Sequence, residues 1–232
     1  MKGFDFDLCS VIPARLGSSR VKNKVFQTLD GSQTLLTRKI KQLRLILPED
    51  RVIVSTESEI IAGEAAKAGA TVIFRDEYFA DGHKASFSEV ITHVVGELPG
   101  EYVAWNTFVC PFQGAAELEK SFMAFKTNVV NGDYDSLVSV VPMAEYIWDS
   151  NGPVNYNADR GHTISQDLPK WFRVTNGNYM AAKRDIMEWQ YLLGHNVYLD
   201  VCPSYCGVDI DTYDDLQFAK VYESMRNSGE SS

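Results

Sequence analysis

Long apolar runs are missing from this chain. Stretches such as Val52-Ile53-Val54 stop far short of the ~18 residues a bilayer-spanning helix needs, so no membrane partner is expected. Cationic excess is missing too: 22 Lys and Arg stand against 31 Asp and Glu, a formal charge of -9. A chain so acidic is repelled by phosphate backbones and anionic lipid, which argues against a nucleic-acid partner. Cysteine is sparse, with only Cys9, Cys110, Cys202 and Cys206 in 232 residues. That is too few for a disulfide framework, and Cys202 and Cys206 lack the second ligand pair a structural zinc would need. The start, Met1-Lys2-Gly3-Phe4-Asp5-Phe6-Asp7, has no cationic stretch of the kind that opens a secretory signal. A cytoplasmic, reducing compartment is the expectation. Histidine is scarce as well, and His83, His93, His162 and His195 form no H-E-x-x-H spacing. Only His83, in the loop Asp81-Gly82-His83-Lys84, is placed to meet a ligand.

What is present is the composition of a folded protein, 45% hydrophobic and 23% charged, at a length that suits one large domain over residues 1–226. The tail 227–232 is expected to be disordered. Leu8 to Ile12 reads as a buried strand, and Leu35, Leu36, Ile40, Leu43 and Leu47 then recur at helical spacing with Lys39, Lys41 and Arg44 between them. Arg51 to Ser55 is a second strand. Thr56 and Glu59 suggest a capping box opening a helix that runs to about Lys67 and ends at Gly69. Thr71 to Phe74 is a third strand, Ser86 and Glu89 a second capping box, and Tyr102 to Trp105 a fourth strand. Such alternation builds right-handed βαβ units, hence an α/β fold: a doubly wound, mainly parallel, Rossmann-like sheet of about seven strands. Ligands of such sheets sit at the carboxyl ends of the strands.

From about 143 to 174 the rhythm breaks at Asn151-Gly152-Pro153, Asp159-Arg160-Gly161-His162 and Asp167-Leu168-Pro169, as for an inserted arm. The arm carries Tyr146, Ile147, Trp148, Tyr156, Trp171 and Phe172, too much apolar surface to leave wet, and a homodimer built through it is expected. Periodicity returns with Tyr179 to Ala182, a helix from about Arg184 to Leu193, a strand Val197 to Val201 and a last helix from about Tyr213 to Met225.

Directly after the first strand, four of the ten residues from Arg15 to Lys24 are cationic: Arg15, Arg20, Lys22 and Lys24. A positive site on a negative molecule calls for an anionic ligand. Gly17 lets the chain turn, and Ser18 and Ser19 add donors in a strand-to-helix loop where backbone amides converge on phosphate. The loop is neither G-x-x-x-x-G-K-[ST] nor G-x-G-x-x-G, which removes the usual grounds for P-loop hydrolysis or dinucleotide binding. Near the other end, Asp209 and Asp211 are two residues apart. On an extended segment both carboxylates face one side, roughly 7 Å apart at Cα, where a cation such as Mg²⁺ would relieve their repulsion. Asp211 has a second reading as the cap of the last helix, with Asp214 and Asp215 favouring its dipole.

The stretch Ile12-Pro13-Ala14-Arg15-Leu16-Gly17-Ser18-Ser19-Arg20 through Lys24 resembles the signature of the sugar-acid cytidylyltransferases, the family of the acylneuraminate synthetases and KDO cytidylyltransferases. The likeness extends over about residues 7 to 222. It implies that Arg15, Gly17, Ser18, Arg20 and Lys24 hold the phosphates of CTP, that Arg75 lies near the cytosine, and that Asp209 and Asp211 bind Mg²⁺. Arg15, Lys24 and Asp211 would be the catalytic set. Gln166 and Asn176, in segments similar to the family's Gln-Asp-Leu-Pro and Asn-Gly-x-x-Tyr, would meet a small acidic sugar; Arg173 has two readings, a partner for the sugar carboxylate and an interface residue. The reaction implied couples CTP to a 2-keto sugar acid of the nonulosonic, sialic-acid-like type, giving a CMP-sugar and pyrophosphate. The chain departs from the pattern where relatives carry Gln-Pro-Thr-Ser-Pro, having Thr107-Phe108-Val109-Cys110-Pro111. Two alternatives therefore stand: a nucleotidyltransferase acting on a phosphonate or another acidic small molecule, and a non-catalytic nucleotide-binding relative.

Overall fold

A computed structural model describes residues 4–18, 20–82 and 84–229. Strand β1 (Leu8–Pro13) is buried on both faces along nearly its whole length, the mark of a central strand in a covered parallel sheet. Helix α1 (Leu35–Arg44) follows, then β2 (Val52–Thr56), α2 (Glu59–Lys67), β3 (Thr71–Phe74), α3 (Phe87–Gly96), β4 (Tyr102–Asn106) and α4 (Ala115–Phe125). The second half adds β5 (Ser136–Met143), the two-residue strands β6 (Trp148–Asp149) and β7 (Gly152–Pro153), and β8 (Trp171–Ala182). It closes with α5 (Lys183–Trp189), β9 (Val197–Val201) and α6 (Tyr213–Asn227).

Seven strands form one sheet in the order β3-β2-β1-β4-β8-β5-β9. Only β8 runs against the rest, pairing antiparallel with β4 and with β5. Alternation along each strand divides the core into two layers. Leu8, Ile12, Ala104, Leu137 and Met180 face α1, α4 and α6. Cys9, Val11, Ile53, Val103 and Trp105 face α3 and α5. Because β2 and β4 lie on opposite sides of β1, and α1 and α3 on opposite faces, the chain ends leaving β1 and β4 diverge. That divergence opens a crevice at their carboxyl ends.

Local signals explain most boundaries. Ser86 and Glu89 close the expected capping box, and Gly69, at φ +87, terminates α2 where only a left-handed residue fits easily. The start of α2 differs from expectation. Strand β2 continues through Thr56, so Ser58 supplies the cap instead, accepting from the Ile61 amide at 3.4 Å. The last helix extends to Asn227, two residues past the expected end and into the stretch read as tail. The arm also differs at its C-terminal margin. Trp171 to Val174 belong to the central sheet, paired with Met143 to Val140, so the protrusion is the tip of a long β5–β8 hairpin.

Lys39 departs furthest from its expected place among the polar residues of α1. It is completely buried, and its ammonium donates to the carbonyls of Cys110 at 3.1 Å and Gln113 at 2.7 Å. The segment after β4 folds back over α1 and has carbonyls that need donors away from water; Lys39 supplies them. Burial pushes its pKa down to about 8 from 10.5. The unfolded chain therefore holds a proton there that the folded chain releases between about pH 8 and 10.5, and stability rises with pH in that window. We expect the urea unfolding free energy of the wild type to gain on the order of 2 kcal/mol more than that of Lys39→Met between pH 7.5 and 9.5. Parallel pH dependence in the two proteins would exclude this origin.

Candidate active site

A cleft of about 570 Å³ occupies the crevice at the carboxyl ends of β1 and β4. Its first wall is the loop from Ala14 to Lys24, which is tied down along its length. The Ala14 amide donates to Ser55 O at 2.9 Å, the Leu16 amide to the Glu57 carboxylate at 3.0 Å, and the Arg15 guanidinium to Ala80 O at 2.7 Å. Further on, the Lys22 amide donates to the Tyr213 hydroxyl at 3.0 Å. Arg15, Gly17, Ser18, Arg20 and Lys24 all line the cleft. Ser19 and His83 lie outside the described residues.

The acidic segment meets this loop. Asp211 lines the cleft, and its Oδ1 accepts from Arg20 at 2.9 Å and from Lys24 at 3.1 Å, across 191 and 187 residues of sequence. Lys24 is 9% exposed, so its ammonium depends on that carboxylate far more than the exposed Arg20 does. Asp211 is not the helix cap. Thr212 takes that role, accepting from the Asp215 amide at 3.2 Å while Asp215 accepts in return from the Thr212 and Asp211 amides. The carboxylate of Asp211 is thereby left to the cleft. Between the two acids, Ile210 is fully buried and its amide donates to Val109 O at 3.0 Å, which anchors the segment to the loop after β4.

Asp209 faces a different neighbour. Its Oδ2 accepts from the Asn176 amide at 2.9 Å, while Oδ1 is buried without a hydrogen-bond partner. Burial raises its pKa, reinforced by the charge of Asp211 and opposed by the Asn176 hydrogen bond and by Lys24. Asn176 lines the cleft together with Tyr179, whose hydroxyl burial pushes up to about 12. Arg75, just beyond β3, is buried at the cleft wall, donating to Ala14 O at 3.0 Å and lying 3.5 Å from Glu57. Burial lowers its pKa, partly offset by Glu57.

Two expected sugar contacts lie elsewhere. Gln166 is exposed on a short turn of the arm, and Arg173 is exposed on β8 with its guanidinium against Gly207, where a Cβ would come within 2.6 Å of it. Neither lines the cleft. The apolar wall of Phe79, Phe87, Val90, Trp105 and Phe108 has no motif of its own, since each residue reads in sequence as ordinary core. Cys110 is fully buried, its thiol donating to Thr175 O at 2.8 Å, and burial pushes its pKa to about 12. That leaves it a packing residue.

The chain belongs to the cytidylyltransferase family, whose model matches residues 9–151. It is 26% identical over 223 residues to a pseudaminic acid cytidylyltransferase of Campylobacter jejuni, covering 93% of this chain and 95% of that one. It is 34% identical to a 3-deoxy-manno-octulosonate cytidylyltransferase of Rickettsia peacockii, over only 40% and 42% of the two chains. Among solved structures the fold resembles that of CMP:2-keto-3-deoxy-manno-octonic acid synthetase, with a TM-score of 0.68, 12% identity, and coverage of 95% and 99%. No described helix is long and apolar enough to cross a membrane.

Separate roles for Thr212 and Asp211 have separate consequences for stability. Thr212→Ala should cost about 1 kcal/mol in urea unfolding by loss of the cap, in the wild type and in a Lys24→Met background alike, whereas the cost of Asp211→Asn, which strands the nearly buried Lys24, should shrink in that background. A cost of Asp211→Asn unchanged by Lys24→Met would return the capping role to Asp211.

Proposed function

We propose that this protein couples CTP to a nonulosonic 2-keto sugar acid, releasing pyrophosphate. Family membership supplies the reaction class. The similarity to pseudaminic acid cytidylyltransferases over nearly the whole chain, against partial similarity to the octulosonate enzymes, favours the nine-carbon acids. The observation that carries the reading is the convergence of Arg20 and Lys24 on Asp211 within the cleft. Two cations that share one carboxylate oxygen are well placed to exchange it for phosphate oxygens when a triphosphate enters.

Arg15, Arg20 and Lys24 would hold the triphosphate, and Arg75 the base end of the nucleotide. The sugar's anomeric hydroxyl would attack the α-phosphorus as pyrophosphate leaves, with rate coming from positioning and charge neutralisation. Asp209 and Asp211 fit a Mg²⁺: they are hard oxygen donors, few in number as Mg²⁺ prefers when phosphate and water complete its shell, and Asp209, set behind the cleft-lining Asn176 and Asp211, has a buried Oδ1 with no protein hydrogen-bond partner. When bound, the ion would supply charge stabilisation at the phosphate oxygens and a lowered pKa for the attacking hydroxyl. The apolar wall around Phe87 and Trp105 suits acyl or methyl substituents on the sugar.

A homodimer is part of the same proposal. Tyr146 and Trp148 on the arm, Phe172 and Val174 on β8, and Leu199 and Val201 on the edge strand β9 are all exposed. The β8 and β9 residues lie on one face of the sheet, through the pairings Val140↔Val174 and Val140↔Val201. Sedimentation at micromolar concentration should give a dimer; a monomer would remove the arm's assigned purpose.

Pyrophosphate release should be measured with CTP, UTP, ATP and GTP against a panel of nonulosonic acids, KDO and phosphonates. We expect turnover with CTP and a nonulosonic acid, and a loss in Asp211→Asn of at least ~100-fold, matching several kcal/mol of charge stabilisation. Turnover with phosphonates alone, or with no acid in the panel, would overturn the reading in favour of the other nucleotidyltransferase or the non-catalytic binder.

A further inference from the structure

Asn176 lines the cleft beside the place assigned to the sugar, yet both polar atoms of its side chain have protein partners. Its backbone sits at φ 60, in the left-handed region that asparagine tolerates and glycine favours. Its carbonyl accepts from the Thr107 hydroxyl at 2.8 Å, its Oδ1 accepts from the Tyr179 hydroxyl at 2.8 Å, and its Nδ2 donates to Asp209 Oδ2 at 2.9 Å. The orientation of the amide is forced. Reversed, it would set a carbonyl oxygen against a carboxylate oxygen with no proton between them.

The following residue fixes the backbone that carries this amide. Gly177 is buried, and a Cβ there would fall 1.9 Å from Gln113 Oε1. Its carbonyl accepts from the Asn106 side chain at 3.1 Å and from the Thr107 amide at 3.4 Å. The consequence falls on Asp209. With Oδ2 held by the amide, the carboxylate cannot rotate freely, and Oδ1 is the oxygen left without a protein partner.

We propose that Asn176 is a positioning residue for Asp209, held in register by Tyr179 and Thr107, and that its amide orients the carboxylate toward a divalent cation instead of binding the sugar. This rests on the reading of Asp209 as a metal ligand. Outer partners that orient a metal-binding side chain characteristically change metal affinity by 10–100-fold when removed.

The test uses the full-length protein with CTP, reading free Mn²⁺ by electron paramagnetic resonance. Asn176→Gly removes the side chain while giving the left-handed backbone its preferred residue, and Tyr179→Phe removes one hydroxyl. We expect the Kd for Mn²⁺ to rise about tenfold in Asn176→Gly and by a smaller factor in Tyr179→Phe, with the KM for the sugar acid within ~2-fold of wild type at saturating metal. Lost turnover should return at raised Mg²⁺. An unchanged Kd for Mn²⁺ with a raised KM for the sugar acid would overturn the inference and make Asn176 a sugar contact. Failure of the wild type itself to bind Mn²⁺ with CTP would overturn the metal reading beneath it. Should Asn176→Gly melt early, Tyr179→Phe carries the same comparison.

Discussion

The architecture of the site depends on one electrostatic meeting, in which two cations from the start of the chain share an oxygen of Asp211 near its end. Such a contact adds little to stability where Arg20 and Asp211 are exposed. Its importance lies in what it gathers. Lys24 is nearly buried, and an ammonium withdrawn from water needs an anion beside it. In the free protein that anion is Asp211, and a bound phosphate offers the same service. The negative charge of the rest of the molecule sets the cationic loop apart electrostatically.

Behind this meeting stands the segment after β4, which joins α1, β8 and the acidic segment. Lys39 holds its carbonyls from below, Thr107 grips Asn176, the Cys110 thiol reaches Thr175, and Val109 accepts the amide of Ile210 between the two acids. This is the stretch in which the chain departs from the family's Gln-Pro-Thr-Ser-Pro. The departure changes side chains, yet the segment still joins β8 to the Asp209–Asp211 pair. A buried lysine is an expensive way to secure a loop, and it persists here because two carbonyls would otherwise be stranded in the core.

Short-range pattern made much of this legible. The parallel strands announced themselves as brief apolar runs: β1, β2 and β4 because burial on both faces leaves no room for alternation, and β3 and β9 to the residue although both are partly exposed edge strands. The Ser86 cap and Gly69 stop were readable for the same reason: each acts within four residues. The cap of α2 was misplaced by two positions because strand pairing with β1 and β3 carried β2 through Thr56, and pairing is not local. The cationic loop was legible as charge density in an acidic chain, whereas the buried state of Lys39 and the remoteness of Gln166 and Arg173 from the cleft were not.

By itself the sequence determined the α/β class, the order of elements and the cationic character of the loop after β1, since all of these follow from periodicity and charge over a dozen residues or fewer. Only the tertiary structure decided that Thr212 caps the last helix and leaves Asp211 to the cleft, that Asn176 turns its amide to Asp209, and that aromatic residues from α3 and β4 form the facing wall. Those outcomes depend on which surfaces the sheet brings within hydrogen-bonding distance across nearly the full length of the chain. No local pattern encodes a distance of that kind.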